Sequence, residues 1–160
     1  MSEPLSDITF AIGGFDGNPA LEALRQQVPD IFTQITRYYD AVLAPPEAET
    51  GGLTLPERAL VAQRTAERIP SPVLARWYAA LLSERGGLAR AEVDSPRVQA
   101  MLHRVALVNE HPDFTTAEDV QDLFEAGLSQ REVIALSQLI AFVHYQARLL
   151  AGLHAIGASR

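Results

Sequence analysis

His144 and Arg148 stand one helical turn apart in the run SQREVIALSQLIAFVHYQARLLAGLHAI, Ser129 to Ile156. On a helix that spacing stacks the two side chains on one face. An imidazole that accepts a proton then lies beside a guanidinium that holds a carboxylate. The chemistry implied is cofactor-free proton transfer, with His144 as base and Arg148 as anion clamp. Trp77, Tyr78 and Tyr145 can wall an aromatic or lactone-sized pocket around the pair, and Ser71 and His103 add polar ligand contacts. Each of these residues also has a structural alternative. Tryptophan and tyrosine at helical spacing fill cores, His103 on an apolar helix packs, and Ser71 before Pro72 caps a helix. His144 and Arg148 can be satisfied by carbonyls or carboxylates in a helix–helix seam.

Composition removes several chemistries. There is no cysteine, so disulfides, thiolate nucleophiles, thiolate metal sites and thiol redox cycles are excluded. All 13 basic residues are arginine, which excludes Schiff-base lysine chemistry and pyridoxal phosphate attachment. His103, His111, His144 and His154 form no HxxxH or HExxH pair, so no metal and no other cofactor is implied. No nucleophile elbow supports a serine triad. A net charge of −7 without a basic run is the reverse of a nucleic-acid footprint. The N-terminus has no positive region followed by an apolar core, and the uncharged run Val133–Ala147 is too short and too polar to span a bilayer. The expectation is a cytoplasmic protein with neither nucleic-acid nor membrane partners.

The elements that must position these residues are punctuated by proline and capping residues. Residues 1–17 end in the turn-forming GGFDG and read as an N-terminal loop within a single domain spanning 1–160. Asn18-Pro19 opens a helix through Gln27. Asp30 caps a second helix to about Leu43, with Ile31, Ile35, Tyr38 and Tyr39 turned inward, and residues 44–53 form a linker. Thr54 and Glu57 make a capping box for a helix to Arg68. Ser71-Pro72 starts the next, ended by Gly86-Gly87; Ser95-Pro96 starts another, stopped by Pro112 after Glu110. Thr116 begins a short helix closed by Gly127, and the Ser129–Glu132 box opens a final helix of about 27 residues, roughly 40 Å long. Only Ile8–Ile12 alternates as a strand would. The fold class is all-α, with about seven helices and a long buried C-terminal helix.

That last helix carries Leu136, Leu139, Ile140, Phe142, Val143, Leu149, Leu150, Leu153 and Ile156 over more than half its circumference. The remaining arc, Ser137, Ala141, His144, Arg148, Ala151 and Ala155, is narrow and mostly small. A helix apolar on so many sides is buried on several of them, and one body of this size calls for a second subunit to cover it. A homo-oligomer is expected.

The segment LTLPERALVAQRTAERIPSPVLARWYAALL (Leu53–Leu82) and the block DLFEAGLSQREVIALSQLIAFVHYQARLLAGL (Asp122–Leu153) resemble the carboxymuconolactone decarboxylase / alkylhydroperoxidase D-like superfamily. The N-terminal pair ALEALRQQVPDIFTQITRYYD is similar to that of its longer, peroxidase-related members. The resemblance implies an alkylhydroperoxidase D-like helical bundle assembled as a dimer, trimer or hexamer, with antioxidant peroxidase or decarboxylase relatives. Peroxidase members place a glutamate after the arginine of the first helix, then a CxxC and a histidine. With that arginine on Arg58, Ala59 stands at the glutamate, Ser71 and Leu74 at the cysteines, and Tyr78 at the histidine. Thiol peroxidation lacks every part. The resulting expectation is small-organic-ligand binding, or a structural role beside a cysteine-bearing relative. The alternative is an acid–base decarboxylase or lactone enzyme using His144 and Arg148.

Overall fold

The computed structural model describes residues 7–46 and 52–158, and every regular element among them is helical. In chain order these are α1 (Ile8–Gly13), α2 (Pro19–Gln27), α3 (Pro29–Leu43), α4 (Leu55–Ala66) and α5 (Pro72–Glu84). Then come α6 (Arg90–Val93), α7 (Pro96–Glu110), a 3-10 turn at Pro112–Phe114, α8 (Ala117–Glu125) and α9 (Gln130–Ala158). The all-α class stands, with two more helices among the described residues than the seven expected.

One addition is α1, which replaces part of the expected N-terminal loop; residues 1–6 lie outside the described residues. The Asp7 carboxylate accepts the amides of Thr9 and Phe10 at 3.0 and 3.3 Å, and Gly14 closes the helix in the left-handed region at φ 64°. Phe10 and Ile12, read as a strand-like alternation, instead enter the core on one turn of helix together with Phe15. The Phe15 ring lies over Gly13, where a Cβ would come within 2.2 Å of it. The glycine-rich stretch does turn the chain, but it also caps a helix and seats an aromatic ring. The other addition, α6, opens with Glu92 reaching back to the Ala89 amide at 2.8 Å. With no hydroxyl at the cap position, it carried no signature to read.

Elsewhere the helix starts follow local chemistry. Asn18 accepts from Ala20 and Leu21, Ser95 from Val98, and Thr116 from Asp119. The Thr54–Glu57 and Ser129–Glu132 boxes close in both directions. Two starts differ. Helix α3 begins at Pro29 after Val28, so Asp30 sits in the first turn rather than at the cap. Ser71 occupies the cap position of α5 but its side chain makes no capping bond, and its own amide donates to the Ile69 carbonyl at 2.7 Å.

The connection at 44–53 is not a loose linker at its ends; residues 47–51 lie outside the described residues. Leu53 is fully buried, and the buried Arg58 donates from Nε to the Leu53 carbonyl at 2.9 Å and from Nη1 to that of Val42 at 2.7 Å. Arg58 thereby ties the end of α3 to the start of α4.

The core is built around α4 as much as α9. Ala59, Ala62 and Ala66 on α4 have no exposure, and their small side chains let α5 and α9 approach closely. On α9 a broad face including Leu136, Leu139, Ile140, Val143, Leu150 and Leu153 is buried. The opposite arc is open in this chain: Ser137, Ala141, Arg148, Ala151 and Ala155 are exposed, and Ile134, Tyr145 and Ile156 with them. The expected internal seam along this arc is therefore surface. Helix α3 also turns Ile31 and Tyr38 outward, at 54% and 44% exposure, while Ile35 and Tyr39 face in. By length and composition α9 suffices to cross a bilayer, with a mean hydropathy of 1.3 over its most apolar stretch, but half of that stretch is buried inside the protein.

Candidate functional site

Pro70 and Pro72 bracket Ser71 in the turn between α4 and α5. Neither proline has an amide proton to donate, and the Ser71 amide between them closes a tight turn back onto the Ile69 carbonyl at 2.7 Å. This turn stands over the face of α9 that carries His144, and a cavity of about 650 Å³ lies between them. Its walls come from Arg68 to Val73 and Arg76 on one side, Asn109 at the end of α7, and His144, Ala147, Arg148, Leu150, Ala151 and His154 on α9. That volume is in the range of small-molecule sites.

His144 is half-buried, and no hydrogen bond engages its imidazole among the described residues. Burial, and secondarily the charge of Arg148, hold its pKa below the ordinary histidine value of 6.5. The ring is therefore neutral near pH 7 and able to accept a proton or a hydrogen bond. Arg148 donates from Nη1 to the His144 carbonyl at 3.2 Å, which keeps the guanidinium beside the ring. Arg68 is engaged at the rim by Glu110 at 3.1 Å and by the Arg64 carbonyl at 3.0 Å. Asn109 donates to the Val105 carbonyl at 2.7 Å, while its buried Oδ1 has no partner. His154 sits edge-on to Phe15 with ring centres 4.8 Å apart.

Of the residues expected at a site, the cavity gathers Ser71, His144 and Arg148 and no others. Tyr78 is fully buried in the core and donates its hydroxyl to Gln146 Oε1. Burial pushes that phenol well above its ordinary value, so it remains a donor. Trp77 donates from its indole to the Tyr39 hydroxyl at 3.0 Å. These two aromatics, which follow the cavity-lining Arg76 directly on α5, join α5 to α3 and α9 instead of walling a pocket. Tyr145 lies in a separate groove of about 550 Å³ with Ile31, Ile35 and Tyr38, stacked on Phe142 at 6.2 Å. His103 is exposed on α7 rather than packed. Among the described residues no cluster of three or more histidine, aspartate or glutamate side chains is gathered.

Sequence reasoning missed Arg68, Arg76, Asn109 and His154. Arg76 stands five residues after Ser71, about 140° around an ideal helix, so spacing alone did not point to it. Arg68 and Asn109 had no local signal, because only the docking of α4 and α7 brings them in. His154 is weighed in the sequence only as a metal ligand, for which no HxxxH or HExxH pair exists, yet the cavity wraps far enough around α9 to include it with His144. Compared with family models and with curated proteins, the chain matches none.

Proposed function

We propose that this protein binds a small organic molecule in the cavity between the α4–α5 turn and α9, and that it is an alkylhydroperoxidase D-like protein without thiol peroxidase chemistry. The observation that carries the binding reading is the convergence of Ser71, His144 and Arg148, from two distant parts of the chain, on one cavity of about 650 Å³. Such a site has the character of known ligand pockets: concave, largely apolar, with a few converging polar groups. The family part of the reading rests on the wording of Leu53–Leu82 and Asp122–Leu153.

The test is a thermal-shift screen against lactones, aromatic and aliphatic carboxylates, and organic hydroperoxides, with His144→Ala beside the native chain. A ligand present at a hundred times its Kd stabilises by about 2.7 kcal/mol, several degrees for a chain of this size. The expected result is a rise with one chemical class that His144→Ala diminishes. No rise with any class overturns the reading.

A second reading, acid–base catalysis on a lactone or carboxylic acid, is favoured by the lowered His144 pKa. A neutral imidazole beside Arg148 can take a proton from an acidic C–H while the guanidinium holds the substrate's oxygen anion. The sign is definite: activity is full above the histidine pKa and declines as the ring protonates. The expected pH–rate profile therefore has an acidic limb below pH 6.5, absent in His144→Gln. A rate independent of pH between about 5 and 8 would exclude His144 as the base.

A further inference from the structure

We infer that the cavity's ligand is an organic anion with an apolar body, such as a carboxylate on an aliphatic or aromatic frame. This rests on the binding reading above and adds the chemical class. Three arginines and two histidines line the cavity, and no aspartate or glutamate does, in a chain whose net charge is −7. Of the three, Arg68 has Glu110, whereas Arg76 and Arg148 make no ion pair among the described residues. Two unpaired guanidiniums facing one concave space constitute an anion site, because the fork of an arginine matches a carboxylate in geometry and charge.

The start of α5 adds to this field. Its 13 residues begin at the cavity wall, and Ser71 makes no side-chain cap bond. Pro72 has no amide proton, so the free first-turn amides that carry the helix's partial positive charge are those of Val73 and Leu74. The rest of the lining is apolar, with Ile69, Val73, Ala147 and Leu150 chief among it. An inorganic anion would leave those surfaces wet, and a neutral molecule would leave the arginines unused. Only an amphiphilic anion uses both.

The test is a titration of ¹⁵N-labelled protein followed by amide shifts, using octanoate, octan-1-ol and inorganic phosphate as probes. Octanoate is expected to move the amides of Val73, Ala147 and Leu150, and to bind at least about tenfold more tightly than octan-1-ol, as one charge-assisted hydrogen bond requires. Arg76→Gln and Arg148→Gln are each expected to weaken octanoate by about tenfold. Both side chains lie on exposed residues, so the variants should melt as the native chain does. Arg90→Gln, remote on α6 and 95% exposed, is the control and should change nothing. Octan-1-ol binding as tightly as octanoate overturns the anion class while leaving a ligand site in place. Phosphate binding as tightly as octanoate overturns the apolar body. If none of the three moves these amides, both this inference and the binding reading fail.

Discussion

Replacing Phe142 by alanine is expected to destabilise the fold by about 3–5 kcal/mol. Phe142 is 1% exposed at the middle of α9. Its ring meets Tyr38 at 4.8 Å and Tyr39 at 6.3 Å edge-on, and Tyr145 at 6.2 Å stacked. Truncation removes the buried ring, opens a cavity in a close-packed region and takes the shared partner from three tyrosines. For a domain of this size the melting temperature should fall by roughly 10 °C or more. Phe142→Leu keeps most of the volume and should lose about half as much. Calorimetry checks the order. A Phe142→Ala protein that melts within a degree or two of the native chain would show that α9 is not anchored here. Phe142 does not line the His144 cavity, so ligand response below the lowered melting point should persist.

The second large effect is expected at Arg97, which joins the starts of two helices. Glu57 and Glu132 are the capping-box glutamates of α4 and α9, and both are buried. From α7, Arg97 donates through Nε to Glu57 at 2.8 Å and through Nη2 to Glu132 at 2.5 Å. Burial alone would lower the arginine's pKa, but its bonds and charge contacts with the two glutamates outweigh this and raise it. For Glu132, burial acts upward, while Arg97 and the Ser129 amide and hydroxyl prevail and lower the pKa.

Arg97→Met leaves two buried carboxylates without their cation. Breaking a fully buried pair costs about 3–5 kcal/mol. With the Arg97 side chain 29% exposed, solvent screening reduces this to about 2–3 kcal/mol. The pH dependence separates a lost ion pair from lost packing. A carboxyl whose folded pKa is depressed contributes stability that is full above its unfolded value and is lost as pH falls through its folded value. The native chain should therefore weaken on acidification below pH 4.5, the ordinary value for Glu132. The variant should be most damaged near pH 7 and less sensitive to acid, since protonation relieves the unpaired Glu132 carboxylate. Adding Glu57→Gln and Glu132→Gln should restore a large part of the loss. Equal damage at pH 7 and pH 4 would assign the effect to packing alone.

Neither Phe142 nor Arg97 was singled out by its sequence neighbourhood, whereas most helix boundaries were. Asn18, Thr54, Ser95, Thr116 and Ser129 start helices because a side-chain oxygen meets an amide two or three residues away. Prolines at the first position add a constraint equally local. Such interactions are complete within a few residues, so the order of residues suffices to determine them. The all-α class follows from the same signals, and the absence of thiol and lysine chemistry follows from composition alone.

Which face of each helix is buried, and what meets across the core, required the tertiary structure. Ile31 and Tyr38 point outward while Tyr78 is enclosed, because side-chain burial depends on which helices dock and at what angle. Helix α9 is apolar on most of its sides, so periodicity cannot say which side remains open. The candidate site divides the same way: His144 with Arg148 was legible as a one-turn pair, but Arg68, Arg76 and His154 join them only because the α4–α5 turn folds over α9. Helix caps close over three residues, whereas a cavity closes over contacts distant in the chain, and these are decided by the fit of whole helix surfaces.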